Sequence, residues 1–315
     1  MNSQRQLRNL LKNSLSLQPR ETLLVAAEES AQEVGDALWH TSRKCVSESV
    51  LVKFSWRNGS KHGLPAAVFQ GLQQVDAAVI LTPHLLLPAS FEPVLAKRTR
   101  VLVVYNTTPG QLERSLQTAY GKISYRSRRL ADIFSIGKKL RVIAPNGTDV
   151  TFDIARIKGK AETGLSQQAG QLAYLPAGEA CVLFSKSNAE GTIVLDRLAG
   201  RKKRLAHHIT LRIKNGHITQ IKGAAEADHL RKELRKIGTT GRGIFELGVG
   251  TNDRVEIGRS PQEDEKALGT VHVSIGKDFV TKSQGKLIQS VRGLVLSPTL
   301  TIDGRTIVED GKILV

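Results

Sequence analysis

The sequence predicts a protein of two domains, in which an open α/β domain with a parallel sheet precedes a β-rich α+β domain. Three observations predict this class: a length of 315 residues, apolar runs that alternate with helical stretches in the first half, and Asn-Gly or Asp-Gly turns between short apolar runs in the second half. A single domain usually holds about 100–200 residues. The chain is 40% hydrophobic and 24% charged, which is typical of globular proteins with buried cores.

In the first half, continuous apolar runs of strand length are separated by stretches with helical spacing. Such runs are typical of a parallel sheet that is covered on both faces. The predicted strands are Thr22–Ala27, Val50–Phe54, Ala77–Leu81 and Val101–Tyr105. The predicted helices are Ser30–Arg43, Pro65–Gln73, Ala89–Ala96 and Ser127–Gly137. Ser30 is the expected N-cap of the first of these helices.

The pattern changes after Lys139, where turns that favour the positive φ of tight hairpins become frequent. The predicted hairpins join Leu140–Ala144 to Asp149–Ala155 and His208–Ile213 to His217–Ile221, and two more turn at Asp303-Gly304 and Asp310-Gly311. The stretch Ala224–Lys236 is amphipathic, and Gly238 is expected to end that helix. We therefore predict an α/β domain over residues 1–139 and an α+β domain over residues 140–315.

Two cysteines, Cys45 and Cys181, lie far apart in the sequence, so they indicate no disulfide framework. The N-terminal residues alternate polar and apolar side chains and lack the apolar centre of a signal peptide. No run approaches the roughly 18 apolar residues of a membrane span. We therefore expect a reduced, cytoplasmic protein.

The net charge of +17 produces a field that attracts nucleic acids, anionic lipids or acidic peptides, although a basic surface can also serve solubility alone. The candidate site for an anion or a partner is the cluster Arg201, Lys202, Lys203 and Arg204. Nucleic-acid binding favours interleaved aromatic side chains, and aromatic residues make up 4% of the chain. We therefore expect an acidic peptide or protein as the partner in preference to a nucleic acid.

The common sequence motifs of catalytic sites are missing. The stretch TGRGIFELGVGTN matches neither the dinucleotide fingerprint nor a P-loop, and the sequence holds no CxxC, HExxH or GxSxG. Three polar residues in apolar, strand-like surroundings stand out instead: Glu179, Glu246 and His272. Two carboxylates and an imidazole are suitable ligands for a divalent transition metal. Alternatively, each residue lies on the solvent side of its strand or is satisfied locally.

Several segments carry a family resemblance by their order and spacing. They read GQLAYLPAGEACV, GIFELGVGTND, EDEKALGTVHVSIGKD and SPTLTIDGRTIVEDGKIL. This part of the chain resembles the aminopeptidase-T family of metallopeptidases, whose scaffold is similar to that of an iron-dependent dihydroxypyridine ring-cleaving dioxygenase. The resemblance implies a homodimer and a dinuclear site of two glutamates, two histidines and an aspartate, with a tyrosine nearby. It places the glutamates on Glu179 and Glu246 and the first histidine on His272.

The same resemblance identifies altered ligand positions. Where the family has a His-x-Asp pair, this chain has Ser290 and Arg292, and Phe279 stands at the position of the tyrosine. No histidine or aspartate lies between residues 278 and 303, so the absence does not depend on the alignment. A second metal loses ligands, and two-metal catalysis is not expected. A facial triad for iron, with two histidines and one carboxylate, is also incomplete.

From these departures we predict a non-catalytic homologue that binds a peptide or a small anionic ligand in the former active-site cleft. Arg292 is expected to form an ion pair with Glu179 or Glu246. One alternative is a metal-dependent hydrolase of the aminopeptidase type with a mononuclear Glu/Glu/His site, and another is a basic nucleic-acid-binding protein. The expected cofactor is one divalent metal (zinc, cobalt or manganese) or none.

Overall fold

The computed structural model describes most of the chain. The described residues are 2–56, 63–84, 86, 88–105, 110–111, 114–115, 118–185, 188–199, 205–238, 241–276, 281–283, 286–288 and 290–315. Contacts divide the chain into two compact units. The first comprises Met1–Ser124 and Thr163–Ala177, and the second comprises Tyr125–Glu162 and Gly178–Val315.

Helices and strands alternate in the first part of the chain, and strands dominate the rest. The helices are α1 (Asn2–Leu15), α2 (Gln32–Ser42), α3 (Ala66–Leu72), α4 (Glu92–Ala96), α5 (Tyr120–Ile136), α6 (Ala225–Ile237) and α7 (Pro261–Lys266). The strands up to the site region are β1 (Thr22–Glu28), β2 (Glu48–Phe54), β3 (Ala77–Thr82), β4 (Arg100–Tyr105), β5 (Lys139–Ile143), β6 (Asp149–Asp153), β7 (Lys160–Glu162), β8 (Leu172–Leu175) and β9 (Glu179–Leu183). The remaining strands are β10 (Ala189–Leu195), β11 (Arg197–Leu198), β12 (Ile209–Lys214), β13 (His217–Lys222), β14 (Ile244–Gly250), β15 (Val271–Ile275), β16 (Thr281–Ser283), β17 (Lys286–Ile288), β18 (Val291–Val295), β19 (Thr299–Ile302), β20 (Arg305–Glu309) and β21 (Lys312–Ile313).

The first unit is built on a five-stranded parallel sheet with the order β2-β1-β3-β4-β8. Successive residues of a strand point to opposite faces, and in β1 both sets are apolar. Leu23 and Val25 enter one hydrophobic core, and Leu24 and Ala26 enter the other. The continuous apolar runs of the sequence are therefore explained by burial on both faces of the sheet.

The second unit contains two larger sheets whose neighbouring strands run antiparallel. Their orders are β13-β12-β10-β6-β5-β19-β20-β21 and β11-β18-β15-β14-β9-β7. One hydrophobic core includes residues from both sheets and from α6, such as Phe152, Leu247, Val273 and Leu230. Burial of each such side chain contributes about 1.5–3 kcal/mol. The predicted order of an α/β part followed by a β-rich α+β part is thus confirmed.

The predicted hairpins form at their turn residues. Between β12 and β13, Asn215 and Gly216 adopt φ angles of 50° and 72°, a backbone conformation that glycine and asparagine tolerate. The strands β5 and β6 pair antiparallel, as predicted for their two segments, and Asn146-Gly147 lies in the turn between them. Helix α6 ends at Gly238, which has a φ of 89°. These elements were predictable because their signals are local.

The predicted cap at Ser30 is wrong. Residues Glu29–Ala31 form a 3₁₀ turn, and the carboxylate of Glu28 accepts a hydrogen bond from the backbone N–H of Ser30. Helix α2 begins one residue later, after Ala31, which makes no side-chain capping bond. Glu28 thus caps the 3₁₀ turn that precedes α2, whereas the sequence pattern placed a cap of α2 itself at Ser30.

The contacts divide the chain differently from the single boundary expected after residue 139. Strand β8 belongs to the first unit because it pairs in parallel with β4. Helix α5 from Tyr125 onward belongs to the second unit. Just after the helix, the backbone N–H groups of Lys138 and Lys139 donate to the carboxylate of Asp303 at 3.0 and 2.8 Å. Both differences come from long-range pairing, which the local sequence pattern does not encode.

Two further expectations concern cysteines and membrane spans. Cys45 and Cys181 are both free thiols, and Cys181 is buried. Within the described ranges, none of the helices combines the length and the apolar character needed to cross a bilayer.

Candidate metal centre

Alternation along three strands of the six-stranded sheet separates apolar from polar side chains. The core-facing residues of β9, β14 and β15 include Ala180, Val182, Leu247, Val249, Val271, Val273 and Ile275. Their neighbours in the sequence, Glu179, Glu246 and His272, therefore point to the opposite face of the sheet. The apolar residues that surround Glu179, Glu246 and His272 in the sequence are thus the core-facing residues of the same strands.

Strand register brings the three polar side chains together. Gly250 in β14 pairs with Glu179 in β9, and Gly248 pairs with His272 in β15. Glu246 lies on the same face of β14 as Gly248, two residues earlier in the chain. One donor atom from each of Glu179, Glu246 and His272 lies within 4.8 Å of the other two. The residues come from positions almost 100 apart in the sequence, yet they form one cluster.

Burial distinguishes this cluster from an ordinary solvent-facing side of a sheet. Glu179, Glu246 and His272 are 2%, 8% and 0% exposed. A solvent-side position, which the sequence left open for each residue, is therefore wrong. Buried carboxylates are costly unless cations, hydrogen bonds or a metal compensate them, so their surroundings must supply that compensation.

Two glycines in β14 make room for the imidazole of His272 and for the C-terminal end of helix α7. A Cβ atom on Gly248 would lie 2.3 Å from Cε1 and 2.5 Å from Nε2 of His272. A Cβ atom on Gly250 would lie 2.0 Å from the carbonyl oxygen of Ala267, just after α7. The imidazole thus lies against one glycine and the end of the helix against the other, because only glycine leaves that space.

The short helix α7 brings charged residues to this face. Ser260 accepts a hydrogen bond from the N–H of Glu263 at 3.2 Å, and Pro261 occupies the first helical position; both are helix start signals. The end of the helix is held to the loop after β14, where the N–H of Asn252 donates to the carbonyl of Lys266 at 2.9 Å. All four residues from Glu263 to Lys266 are buried, although such a charge run is usually solvated.

Lys266 compensates the first glutamate. Its Nζ atom lies 2.8 Å from Oε2 of Glu179 and 2.7 Å from Oε2 of Glu162. Burial raises the pKa of Glu179 well above its usual range, and Lys266 opposes that rise. Burial alone lowers the pKa of Lys266, but Glu162 and Glu179 raise it above its usual range, so this side chain remains a cation.

Arg292 in β18 compensates the second glutamate indirectly. Its Nη1 atom lies 3.1 Å from Oε1 of Glu265, and its Nε–H donates to Oγ of Ser274 at 3.2 Å. The Ser274 hydroxyl in turn donates to Oε2 of Glu246 at 2.7 Å. The expected direct ion pair between Arg292 and Glu179 or Glu246 is therefore wrong, because Glu265 supplies a closer partner and Ser274 lies between.

His272 has two ring nitrogens without a well-aligned hydrogen-bond partner among the described residues. Its Nε2 atom lies 3.4 Å from Oε2 of Glu179. Burial lowers the pKa of His272 to about 3, so the ring is neutral at neutral pH. A neutral imidazole with an unused lone pair is the form that binds a metal.

The pKa values of Glu246 and Glu265 are shifted in opposite directions. Burial acts to raise the pKa of Glu246, but His272 and Arg292, together with the hydroxyl of Ser274, lower it below its usual range. Because His272 is neutral at neutral pH, Arg292 and Ser274 sustain this effect there. Burial raises the pKa of Glu265 to about 7, against the opposing charge of Arg292.

The donor set and the charge balance both fit a divalent cation. Four carboxylates face two fixed cations, which leaves two formal negative charges: Glu162, Glu179, Glu246 and Glu265 against Lys266 and Arg292. Oε2 of Glu179 accepts no well-aligned hydrogen bond from the described residues, and neither do the nitrogens of His272. A divalent ion would satisfy Oε2 of Glu179 and the lone pair of one ring nitrogen of His272, and it would hold the buried acids in their ionised form.

The other residues predicted for the site fall in three classes. Arg292 lies beside the cluster, and Ser290 lies half-buried just before β18. Phe279 and the basic cluster Arg201–Arg204 lie outside the described residues, so the acidic and nucleic-acid partners stay predictions.

Sequence reasoning missed five neighbours of the cluster. They are Glu162, Gly248, Glu265, Lys266 and Ser274. The run EDEK after Ser-Pro, and the glycines at alternate positions after Glu246, were the signals that could have identified most of them.

Sequence comparison gives one family and one relative of the same description. The sequence profile of the NicX family, described as 2,5-dihydroxypyridine 5,6-dioxygenase, matches residues 15–289. A 2,5-dihydroxypyridine 5,6-dioxygenase from Pseudomonas putida KT2440 is 28% identical over 194 residues, which make up 60% of this chain and 54% of the relative. The match thus spans about half the length of that curated relative.

Solved structures extend the likeness over the whole chain. The 2,5-dihydroxypyridine dioxygenase from Pseudomonas putida KT2440 aligns with a TM-score of 0.82 and 20% identity, over 99% of this chain and 96% of that one. Wild-type AmpT from Thermus thermophilus aligns with a TM-score of 0.65 and 14% identity, over 100% and 99% of the two chains. At these identities the likeness shows the fold, and it confirms the aminopeptidase-T-like scaffold predicted from the sequence.

Proposed function

Since the chain belongs to the NicX family of 2,5-dihydroxypyridine 5,6-dioxygenases, we propose that it is a metal-dependent dioxygenase that opens the ring of a dihydroxylated pyridine. The observation that carries this proposal is the buried cluster of Glu179, Glu246 and His272, whose donor atoms lie within 4.8 Å of one another. Three protein ligands leave positions on a metal ion free for other molecules.

Family membership overturns the function expected from the sequence alone. The predicted non-catalytic homologue that binds a peptide or anion is wrong, since the matched family and relative are dioxygenases. The hydrolase and nucleic-acid alternatives find no support there either. The expectation rested on Ser290 and Arg292 in place of two ligands, but that loss removes ligands of a second metal and leaves three donors together.

The residues present would hold one divalent ion. Glu179, Glu246 and His272 would be its ligands, and an iron(II) ion held there would supply the redox chemistry that joins molecular oxygen to an aromatic ring. The set holds two carboxylates and one imidazole, whereas the common facial triad holds two imidazoles and one carboxylate. We therefore propose that manganese and iron are the metals to compare first, because carboxylates favour harder cations.

The neighbouring residues orient these ligands. Ser274 donates to Glu246 and is itself held by Arg292, so the carboxylate has one preferred direction. Lys266 lies against Glu179, and Gly248 allows the ring of His272 to approach β14 closely. Partners of this kind tune metal affinity by about 10–100-fold. Water has little access to the ligands, since all three are buried.

The proposal is tested by removing metal with a chelator and adding back iron(II), manganese(II) or zinc(II). We expect about one metal per chain, and oxygen uptake with 2,5-dihydroxypyridine in the presence of iron or manganese. Both atoms of labelled oxygen should enter the product. Glu179→Gln and His272→Gln should abolish uptake and lower metal content. The matched surface changes Glu309→Gln and His229→Gln should leave both unchanged, since these side chains are exposed.

The outcome that contradicts the proposal is the absence of oxygen uptake with every metal in a protein that binds one equivalent. Metal binding that survives both ligand substitutions would contradict the assigned site.

A further inference from the structure

Lys266 has a hydrogen-bonding capacity that its partners among the described residues do not exhaust. Its side chain is 7% exposed, and its ammonium group carries three N–H donors. One of them donates to Glu162 at 2.7 Å. The contact with Glu179 at 2.8 Å is an ion pair in which Oε2 accepts no well-aligned hydrogen bond from the described residues. At least one buried donor is therefore directed at neither carboxylate in good geometry.

The position of this ammonium relates it to the proposed ligands. The same atom, Oε2 of Glu179, lies 2.8 Å from Nζ of Lys266 and 3.4 Å from Nε2 of His272. A molecule bound next to the imidazole and the carboxylate would thus lie within reach of the ammonium. Glu162, the other partner of Lys266, is 43% exposed, so the cluster meets solvent at this side.

The charge of the cluster indicates which kind of atom the donor would meet. The other cation near the proposed ligands, Arg292, is directed at Glu265 and Ser274, and its side chain is 36% exposed, so water can reach its remaining N–H donors. With a divalent ion present, the formal charges of the cluster cancel, and an incoming anion needs a further favourable contact. Charged hydrogen bonds to an oxyanion are stronger than neutral ones. Among the described residues, Lys266 is the buried cation beside the proposed ligands that has an N–H donor left for such an oxyanion.

We propose that Lys266 is a substrate-binding residue that donates a hydrogen bond to an ionised hydroxyl oxygen of the aromatic substrate. This inference rests on the proposed function, since it takes the hydroxylated ring as the ligand. It adds a specificity element: a ring whose oxygen can ionise is selected over one whose oxygen is blocked.

The test uses zinc-loaded protein without oxygen, so that binding is measured without turnover. The probes are 2,5-dihydroxypyridine and 2,5-dimethoxypyridine, whose oxygens cannot ionise, and calorimetry gives their dissociation constants. Lys266→Met should weaken binding of the dihydroxy probe by about 10-fold or more and leave the dimethoxy probe within about twofold. Glu162→Gln should strengthen binding of the dihydroxy probe severalfold, because it frees the ammonium from one carboxylate.

Each result decides between the possibilities. Equal affinity of wild type and Lys266→Met for the dihydroxy probe overturns the role of Lys266, even where iron-loaded protein consumes oxygen. Loss of zinc from Lys266→Met also overturns it, since the ammonium would then act on the ligand set. Where that variant does not fold, unchanged or weaker binding by Glu162→Gln overturns the role. Wild-type protein that neither binds the dihydroxy probe nor consumes oxygen with it refutes the proposed function itself.

Discussion

At the scale of single residues, Gly248 has the largest influence on the geometry of the cluster. It lies on β14 two residues after Glu246 and pairs with His272 on β15. Any side chain at this position would occupy the space of the imidazole. The sequence showed a glycine in a strand, which usually marks a bulge or a close approach. The partner of that close approach, His272, became visible only when the strands were paired.

Gly248→Ala should therefore displace the ring of His272. The added Cβ would lie 2.3 Å from Cε1, so either the imidazole or the strand must move. We expect a loss of about 1–3 kcal/mol in the free energy of unfolding and about 10–100-fold weaker metal binding. Chemical denaturation and a metal titration measure the two effects.

The matched control is Gly121→Ala on α5, where no atom lies within 4 Å of the added Cβ. Alanine favours helix more than glycine does, so this variant should be equally or more stable and bind metal normally. Unchanged metal affinity in Gly248→Ala would show that the ring does not depend on this glycine.

The ligands and their charge partners were predictable to different degrees. Glu179, Glu246 and His272 stood out because an acid or imidazole in an apolar strand is unusual. Arg292 was expected near the site, yet its partners are Glu265 and Ser274. The signal for Lys266 was weak, since a lysine that follows three acids in the sequence, as in the run EDEK, is typical of a solvated surface.

At the scale of elements, α7 brings the charged residues Glu263–Lys266 to the face of the sheet that carries the cluster. Its sequence contains a capping box, with Ser260 at the N-cap and Glu263 three residues later. The helix has six residues, which is too short for a periodic apolar face. The hairpins were easier to predict because a turn needs only two or three residues of the right type.

Ser260→Ala should weaken this helix. Loss of the capping bond to Glu263 costs about 1 kcal/mol, and the change loosens the element that carries Glu265 and Lys266. We expect a lower midpoint of chemical unfolding and a several-fold weaker affinity for the dihydroxy probe. Ser260→Thr retains the hydroxyl and is the matched variant. Equal losses in the two variants would show that the effect comes from packing and not from the cap.

At the scale of the whole molecule, the proposed ligands and their charge partners all belong to the second unit. The first unit has two cores of its own on the faces of its parallel sheet. The predicted homodimer and the role of the net charge of +17 stay predictions.

Two leucine substitutions test this separation. Leu11 and Leu247 are both 0% exposed, in the cores of the first and second units. Either change to alanine should cost about 2–5 kcal/mol. Below the unfolding transition, Leu11→Ala should retain one metal per chain with wild-type affinity, whereas Leu247→Ala, between Glu246 and Gly248, should bind metal more weakly. Equal metal affinities of Leu11→Ala and Leu247→Ala would contradict the assignment of the metal site to the second unit.

The sequence by itself determined the fold class, four of the five strands of the parallel sheet, the hairpins at the Asn-Gly and Asp-Gly turns, and three residues of the candidate site. These follow from alternation, turn chemistry and apolar context, which are properties of neighbouring residues. Only the tertiary structure decided that Glu179, Glu246 and His272 meet, and that Lys266 and Arg292 balance them. Register and burial set those contacts, because whether a charge is solvated or paired depends on residues about 100 positions away in the chain.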